Sequence, residues 1–288
     1  MKTRIITAIV GLVVLFPVLY FANTPVFPAA VSLLAGIAAY EIVSCTGLKG
    51  KLYISIPTVI YAVVLPAVPR VLVLLPFASE SSDAGLAALA LTVLLTAIYA
   101  LVIFSSNVFF FEKFNSKDLG STFLLTVFYS FAFLGLVMAQ MAFPTEYLLI
   151  FVGAWMTDTA AIFGGKLFGK HKLCPKLSPK KTVEGAVSGV VGAVVGFFVF
   201  GLVVDLGFHV HVNYLLYALI AIPVSVVSQI GDLAASAFKR TYGVKDYGKL
   251  FPGHGGILDR FDSILAVSLA ALIGILGLEI LNLLQFGV

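Results

Sequence analysis

"GHGGILDRFDSILAVSLAALIGILGLEILNLL", residues 253–284, joins a glycine-rich polar mouth to a long apolar run. About 20 apolar residues let a helix cross a hydrocarbon core of about 30 Å, so residues 261–284 read as a membrane span. The mouth of that span carries Asp259, Arg260 and Asp262, which a helix facing only lipid has no use for. A span sets the fold class, and charges at its mouth say where chemistry belongs.

The rest of the chain repeats the pattern. Of its 288 residues, 60% are hydrophobic and 11% charged, against about 25% charged in soluble domains, which excludes a water-facing globule. Nine spans are expected, at approximately 5–22, 26–45, 53–77, 85–105, 120–142, 146–168, 184–205, 213–236 and 261–284. The fold class is therefore all-α, a polytopic integral membrane protein with about nine transmembrane helices. Residues 1–142 are expected to form an N-terminal set of about five spans, and 143–288 a C-terminal region of about four with two basic cytoplasmic loops. Pro57, Pro66, Pro69 and Arg70 interrupt the third span and could split it.

Cytoplasmic loops carry the excess of Lys and Arg. Every basic residue except Arg70 falls on alternate loops or the span ends beside them, beginning with Lys2 and Arg4. This puts the N-terminus and the basic loops in the cytoplasm and, with an odd number of spans, the C-terminus outside. Residues 1–22 resemble a signal peptide but read as an uncleaved first span, because no small-x-small site precedes Asn23. Cys45 and Cys174 both fall on the cytoplasmic side, where thiols stay reduced, so no disulfide is expected.

Two cytoplasmic loops are long and polar: "DTAAIFGGKLFGKHKLCPKLSPKKTVEG", residues 158–185, and "GDLAASAFKRTYGVKDYGKLFPGHGGILDRFD", residues 231–262. Lysines alone could be a positive-inside anchor, but an anchor needs no Asp158, no Gly164-Gly165 pair and no Ser178-Pro179 turn. Intramembrane carboxylates cost about 2.5–3.5 kcal/mol on insertion scales and mark functional sites; Asp158 and Asp232 are the clearest. Glu41 and Glu279 read as helix-packing or interfacial residues.

If residues 258–262 are helical, Asp259 and Asp262 stand on one face with Cβ atoms about 5–6 Å apart. Such a like-charged pair calls for a cation, and Mg²⁺ suits it: it is held by one or two carboxylates plus waters and substrate phosphates. Lys239, Arg240, Lys245 and Lys249, with Gly253, Gly255 and Gly256, would surround that cation with groups that favour polyphosphate. The helix that follows would aim its N-terminus at the same place. No G-x-x-x-x-G-K-[ST] loop occurs, so a P-loop fold is excluded.

The stretch "SAFKRTYGVKDYGKLFPGHGGILDRFD", Ser236 to Asp262, resembles the signature of the phosphatidate cytidylyltransferase family, the CDP-diacylglycerol synthases, at every fixed position. The resemblance extends upstream through "GDLAAS" and "GKLFGKHKLCPKLSPKKTVEG"; Ile162 departs from it, where family members commonly carry Tyr. It implies CTP + phosphatidate → CDP-diacylglycerol + pyrophosphate at the cytoplasmic face of the inner membrane. It also implies Mg²⁺ on Asp232 and Asp259 with Asp262 close by, and K⁺ as a second cation. Carried over residue by residue, the catalytic set is Asp232, Asp259, Asp262, Lys239, Arg240, Lys245, Asp246 and His254. The substrate-binding set is Asp158, Lys166, Lys170, Ser178, Lys180, Lys181, Glu184, Ser236, Gly255, Gly256 and Arg260.

CTP, phosphatidate and the bilayer are the implied partners, with no nucleic acid. Gly185, Gly189, Gly192 and Gly196 form a small-residue face on span seven that could join helices within one chain or between two, so a homodimer stays open. Two other functions use the same residues. An ion-coupled transporter would show inverted repeats, and none is found; a CTP-dependent lipid kinase would release CDP instead of pyrophosphate.

Overall fold

The computed structural model describes residues 11, 13–74, 84–253 and 255–286, with 84 and 279–286 described by backbone alone. Helix α1 covers residues 13–20. It is followed by α2 (Val26–Cys45), α3 (Leu52–Val64), α4 (Val68–Val73), α5 (Ala84–Phe109), α6 (Ser116–Ala142) and α7 (Leu148–Phe168). A two-stranded hairpin, β1 (Lys172–Cys174) and β2 (Ser178–Thr182), leads to α8 (Val183–Phe208), α9 (Tyr214–Thr241) and α10 (Leu258–Phe286).

Among the described residues, eight segments are long and apolar enough to cross a membrane. The chain is a helical, multi-pass membrane protein. The expected first span, 5–22, falls largely on residues outside the described set, as do Lys2 and Arg4. The third expected span runs as one segment from Leu52 to Val73, with Pro57 inside α3, and tightens at its later prolines: α3 stops at Val64, Leu65–Ala67 form a 3-10 turn, and α4 begins with Pro69 in its first turn. Pro66 and Pro69 each lack the N–H that a continuous helix requires.

Small residues decide which helices touch most closely. The glycine face of α8 packs on α7 inside the chain: a methyl group on Gly185 would stand 2.8 Å from the Ala161 carbonyl, and one on Gly196 2.6 Å from Met156 Cγ. This seam therefore joins helices of one chain, and nothing in it is left for a second copy. Gly231 does the same between α9 and α10, since a methyl there would stand 3.0 Å from the Asp262 carbonyl. That approach sets Asp232 next to Asp262.

The core runs through α10. Leu258, Leu265 and Val267 of α10 pack with Phe27 and Ile42 of α2, Phe133 and Val137 of α6, and Phe151 of α7. Opposite the basic loops, Arg70 donates to the Asn23 carbonyl at 2.7 Å and Gln140 to the Asn23 side chain at 2.9 Å. Arg70 thus lies at the end of the bundle away from the other described cations, which accounts for its exception to the charge pattern.

The all-α expectation needs one amendment, the β1–β2 hairpin. The turn falls at 175–177, where Leu177 N–H bonds the Cys174 carbonyl at 3.1 Å, and Ser178-Pro179 lies in β2 instead of forming the turn. Pro175, by fixing its own φ, favours the earlier position. In a two-stranded ribbon both strands are edges, so Pro179 is tolerated there.

Candidate active site

Helix α9 ends with Asp232, Ser236 and Lys239 spaced four and three apart, hence on one face. The chain then leaves through Gly243, whose φ of +65° suits glycine, while Val244 N–H closes on the Lys239 carbonyl at 3.0 Å. Residues 242–253 and 255–257 fold back over the end of α9 and deliver α10 beside it.

Asp259 anchors this loop. Its side chain is 2% exposed, and Lys239 Nζ donates to Oδ1 at 2.8 Å. The backbone N–H groups of Tyr247 and Gly256 donate to Oδ2 at 2.8 and 2.9 Å. The Tyr247 ring also lies under Lys239, with Nζ 5.4 Å from its centroid. Burial pushes the Tyr247 hydroxyl far above the usual phenol range, so it stays a donor, to the Ala235 carbonyl at 3.2 Å. Gly255, at φ +87°, packs against the Asp259 carboxylate, leaving no room for a side chain.

Glu41 completes the anchor from the other half of the chain. It is 4% exposed, and its two carboxylate oxygens accept from Ile257 N–H at 2.9 Å and Leu258 N–H at 3.0 Å. These belong to the four N–H groups that a helix N-terminus leaves without internal partners. The helix dipole favours a carboxylate there. Gly248 and Gly256 pack directly on the Glu41 carboxyl group. From the sequence Glu41 reads as a helix-packing or interfacial residue; the signal that promotes it is a lone carboxylate set among apolar residues of α2.

A second set of carboxylates lies on the neighbouring helix faces. Asp158 of α7, Asp232 of α9 and Asp262 of α10 act on one another electrostatically. Lys181 Nζ pairs with Asp232 Oδ2 at 2.6 Å, and Ser263 Oγ stands 3.5 Å from Asp158 Oδ2. Arg260 is near enough to act on Asp158. Among the described residues no three His, Cys, Asp or Glu groups form a ready-made metal cage. The donor set is nevertheless of the hard-oxygen kind, and Mg²⁺ needs only one or two carboxylates where phosphates complete its shell.

Beside these groups an open cleft of about 730 Å³ is lined by Lys245, Asp246, Lys249, Phe251, Gly253, Gly255 and Arg260, with Gly248 and Pro252. The other expected site residues divide. Lys180 and Lys181 are neighbours on β2, yet strand alternation turns them apart: Lys181 reaches Asp232 and Lys180 is exposed. Glu184 is engaged by His171, whose Nδ1 lies 2.6 Å from Oε1. Ser178 is half-buried in β2, and Lys166 and Lys170 are exposed around the end of α7. Ser236 is half-buried on the Asp232 face, while Arg240 is exposed and bonds the Val244 carbonyl at 3.2 Å. His254 lies outside the described residues, and the Glu279 side chain does too.

Comparison with known proteins gives the family. A family model described as the Cytidylyltransferase family matches residues 2–276. The chain is 34% identical to "Phosphatidate cytidylyltransferase" of Staphylococcus epidermidis over 267 residues, covering 93% of this chain and 96% of the relative. The proteins of the same name from Staphylococcus saprophyticus and Staphylococcus aureus are 35% and 32% identical with the same coverage. The chain belongs to the cytidylyltransferase family.

Proposed function

We propose that the chain is a phosphatidate cytidylyltransferase of a bacterial cytoplasmic membrane, joining CTP and phosphatidate to give CDP-diacylglycerol and pyrophosphate. The observation that carries the proposal is the placing of three carboxylates, from α7, α9 and α10, beside a cation-lined cleft at one end of the bundle. The basic face is placed in the cytoplasm, with nine spans and the C-terminus outside, because the charge asymmetry follows the positive-inside pattern.

A phosphate monoester has its second pKa near about 6, so phosphatidate arrives as a charged nucleophile and no strong base is required. One of its oxygens bonds to the CTP α-phosphorus as the bond to the bridging oxygen of the β-phosphate breaks, and pyrophosphate leaves with that electron pair. The protein's task is to position the two phosphates in line and to neutralise their charge. Lys245, Lys249 and Arg260 supply positive charge along the cleft. Lys181, held at Asp232 by β2, brings a further cation to the carboxylates.

Bound Mg²⁺ would add charge neutralisation at the phosphates. Both carboxylate oxygens of Asp259 are engaged, by Lys239 and two N–H groups, whereas Lys181 meets Asp232 at Oδ2, so Asp158, Asp232 and Asp262 would be the donors that hold the cation. A homodimer no longer draws support from the α8 glycine face, which is used within the chain.

The test is purified protein in detergent with phosphatidate, Mg²⁺ and CTP labelled at the α- or the γ-phosphorus. Only the α-label should enter the lipid, with one pyrophosphate released per lipid formed. Entry of the γ-label with release of CDP would make the enzyme a lipid kinase.

A further inference from the structure

Asp246 is out of place in a cleft built for phosphate. Of the side chains that line it, Lys245, Lys249 and Arg260 are cations and Asp246 is the one carboxylate. Asp246 is exposed, and among the described residues it joins no ion pair. A carboxylate facing a triphosphate would repel it, so its place in the cleft calls for a ligand part that donates hydrogen bonds. Phe251 lines the same cleft, its ring half-buried against the core. It is held by a two-way backbone bridge to Gly255 at 2.8 and 3.1 Å.

We infer that Asp246 is the residue that reads the base of the nucleotide, accepting a hydrogen bond from the exocyclic amine of cytosine while Phe251 offers the base an apolar surface. Carboxylates accept from cytosine N4 as a matter of donor and acceptor pattern. Uracil presents a carbonyl oxygen at the same position, which a carboxylate repels. One side chain thus favours CTP and disfavours UTP, the pairing of attraction with repulsion that specificity requires. Lys245, its neighbour in the chain, lines the same cleft and offers a cation to the phosphates. This inference rests on the cytidylyl-transfer reading.

The experiment compares kcat/KM for CTP, UTP and dCTP in wild-type protein and in Asp246→Asn and Asp246→Glu, each in detergent with phosphatidate. Asn offers an amide N–H₂ that can serve the uracil carbonyl, so Asp246→Asn should lower the CTP-to-UTP ratio at least tenfold, mainly through KM. Asp246→Glu should keep the preference for CTP. Three outcomes overturn the inference: an unchanged CTP-to-UTP ratio in Asp246→Asn, an equal loss with both nucleotides, or a change confined to the CTP-to-dCTP ratio. The last would assign the carboxylate to the ribose. Failure of the wild-type protein to move label from CTP to lipid would instead overturn the activity on which the inference rests.

Discussion

Glu41 of α2 and Leu258 of α10, 217 residues apart in the chain, are joined by a 3.0 Å hydrogen bond from the Leu258 N–H to the Glu41 carboxylate. Through this contact the N-terminal half of the protein holds the helix that carries Asp259 and Asp262. The opening Asp259-Arg260-x-Asp262 of a membrane helix is explained in the same terms. Asp259 faces inward to lock the loop, Arg260 faces the cleft, and Asp262 faces Asp158 and Asp232.

Replacing Glu41 by Ala should therefore slow the enzyme without touching substrate. Two buried N–H groups would lose their acceptor, at about 1–3 kcal/mol each, and the loop from Tyr247 to Leu258 would lose its register. Turnover should fall at least tenfold, while Glu41→Gln, which keeps one acceptor oxygen, recovers part of it. A kcat and KM for Glu41→Ala equal to the wild-type values would reduce Glu41 to a packing residue.

The Lys239–Asp259 pair should show strong coupling. Breaking a buried ion pair by removing one partner costs about 3–5 kcal/mol, because the other charge is left uncompensated. Lys239→Met and Asp259→Asn should each lower thermal stability in detergent, and the double variant should be more stable than the sum of the two losses implies. Additive losses would mean that the two side chains do not depend on each other.

Metal binding can be read apart from turnover. Mn²⁺, followed by its paramagnetic resonance, should bind the purified protein more weakly in Asp232→Asn and Asp262→Asn, and excess Mg²⁺ should displace it. Raising Mg²⁺ should also restore part of the activity of either variant. Unchanged Mn²⁺ affinity in both variants would remove these carboxylates from the metal site.

The α7–α8 seam gives a prediction about folding alone. A side chain at Gly192 would run into Ala160 and the Met156 carbonyl, and overpacking of this kind costs about 1–3 kcal/mol or more. Gly192→Leu should lower the unfolding temperature in detergent, whereas Gly207→Leu, where the structure leaves open space, should not. Equal stability of the two variants would contradict the seam.

Orientation is checked by labelling. In a background without Cys45 and Cys174, a cysteine at Gly207 should react with an impermeant thiol reagent added to intact cells, and one at Lys176 should not. The reverse pattern would turn the protein over in the membrane.

Most span boundaries could be read from hydropathy because lipid imposes one simple demand, an apolar run of sufficient length. The expected 26–45, 146–168 and 213–236 meet Val26–Cys45, Leu148–Phe168 and Tyr214–Thr241 within a few residues on all but one end. The exception is the end of α9, which continues past 236 to Thr241 so that Lys239 can meet Asp259. Likewise α10 begins at Leu258 and takes its charged mouth into the helix. Hydropathy ends a span where charge begins, but paired charges continue a helix. The partners of those charges were not legible: Lys239 with Asp259, Lys181 with Asp232 and Glu41 with Leu258 are all tertiary contacts, which no local period encodes. The hairpin was missed for a different reason, since two short strands rich in lysine carry no alternation of apolar residues.

Transfer of a cytidylyl group to a lipid phosphate is tested most directly by the mass of the lipid product. Phosphatidate incubated with CTP, Mg²⁺ and the purified protein should be converted to a lipid heavier by one cytidylyl group, with pyrophosphate released in equal amount. Recovery of phosphatidate unchanged, or of a lipid heavier by a single phosphoryl group, would contradict the account.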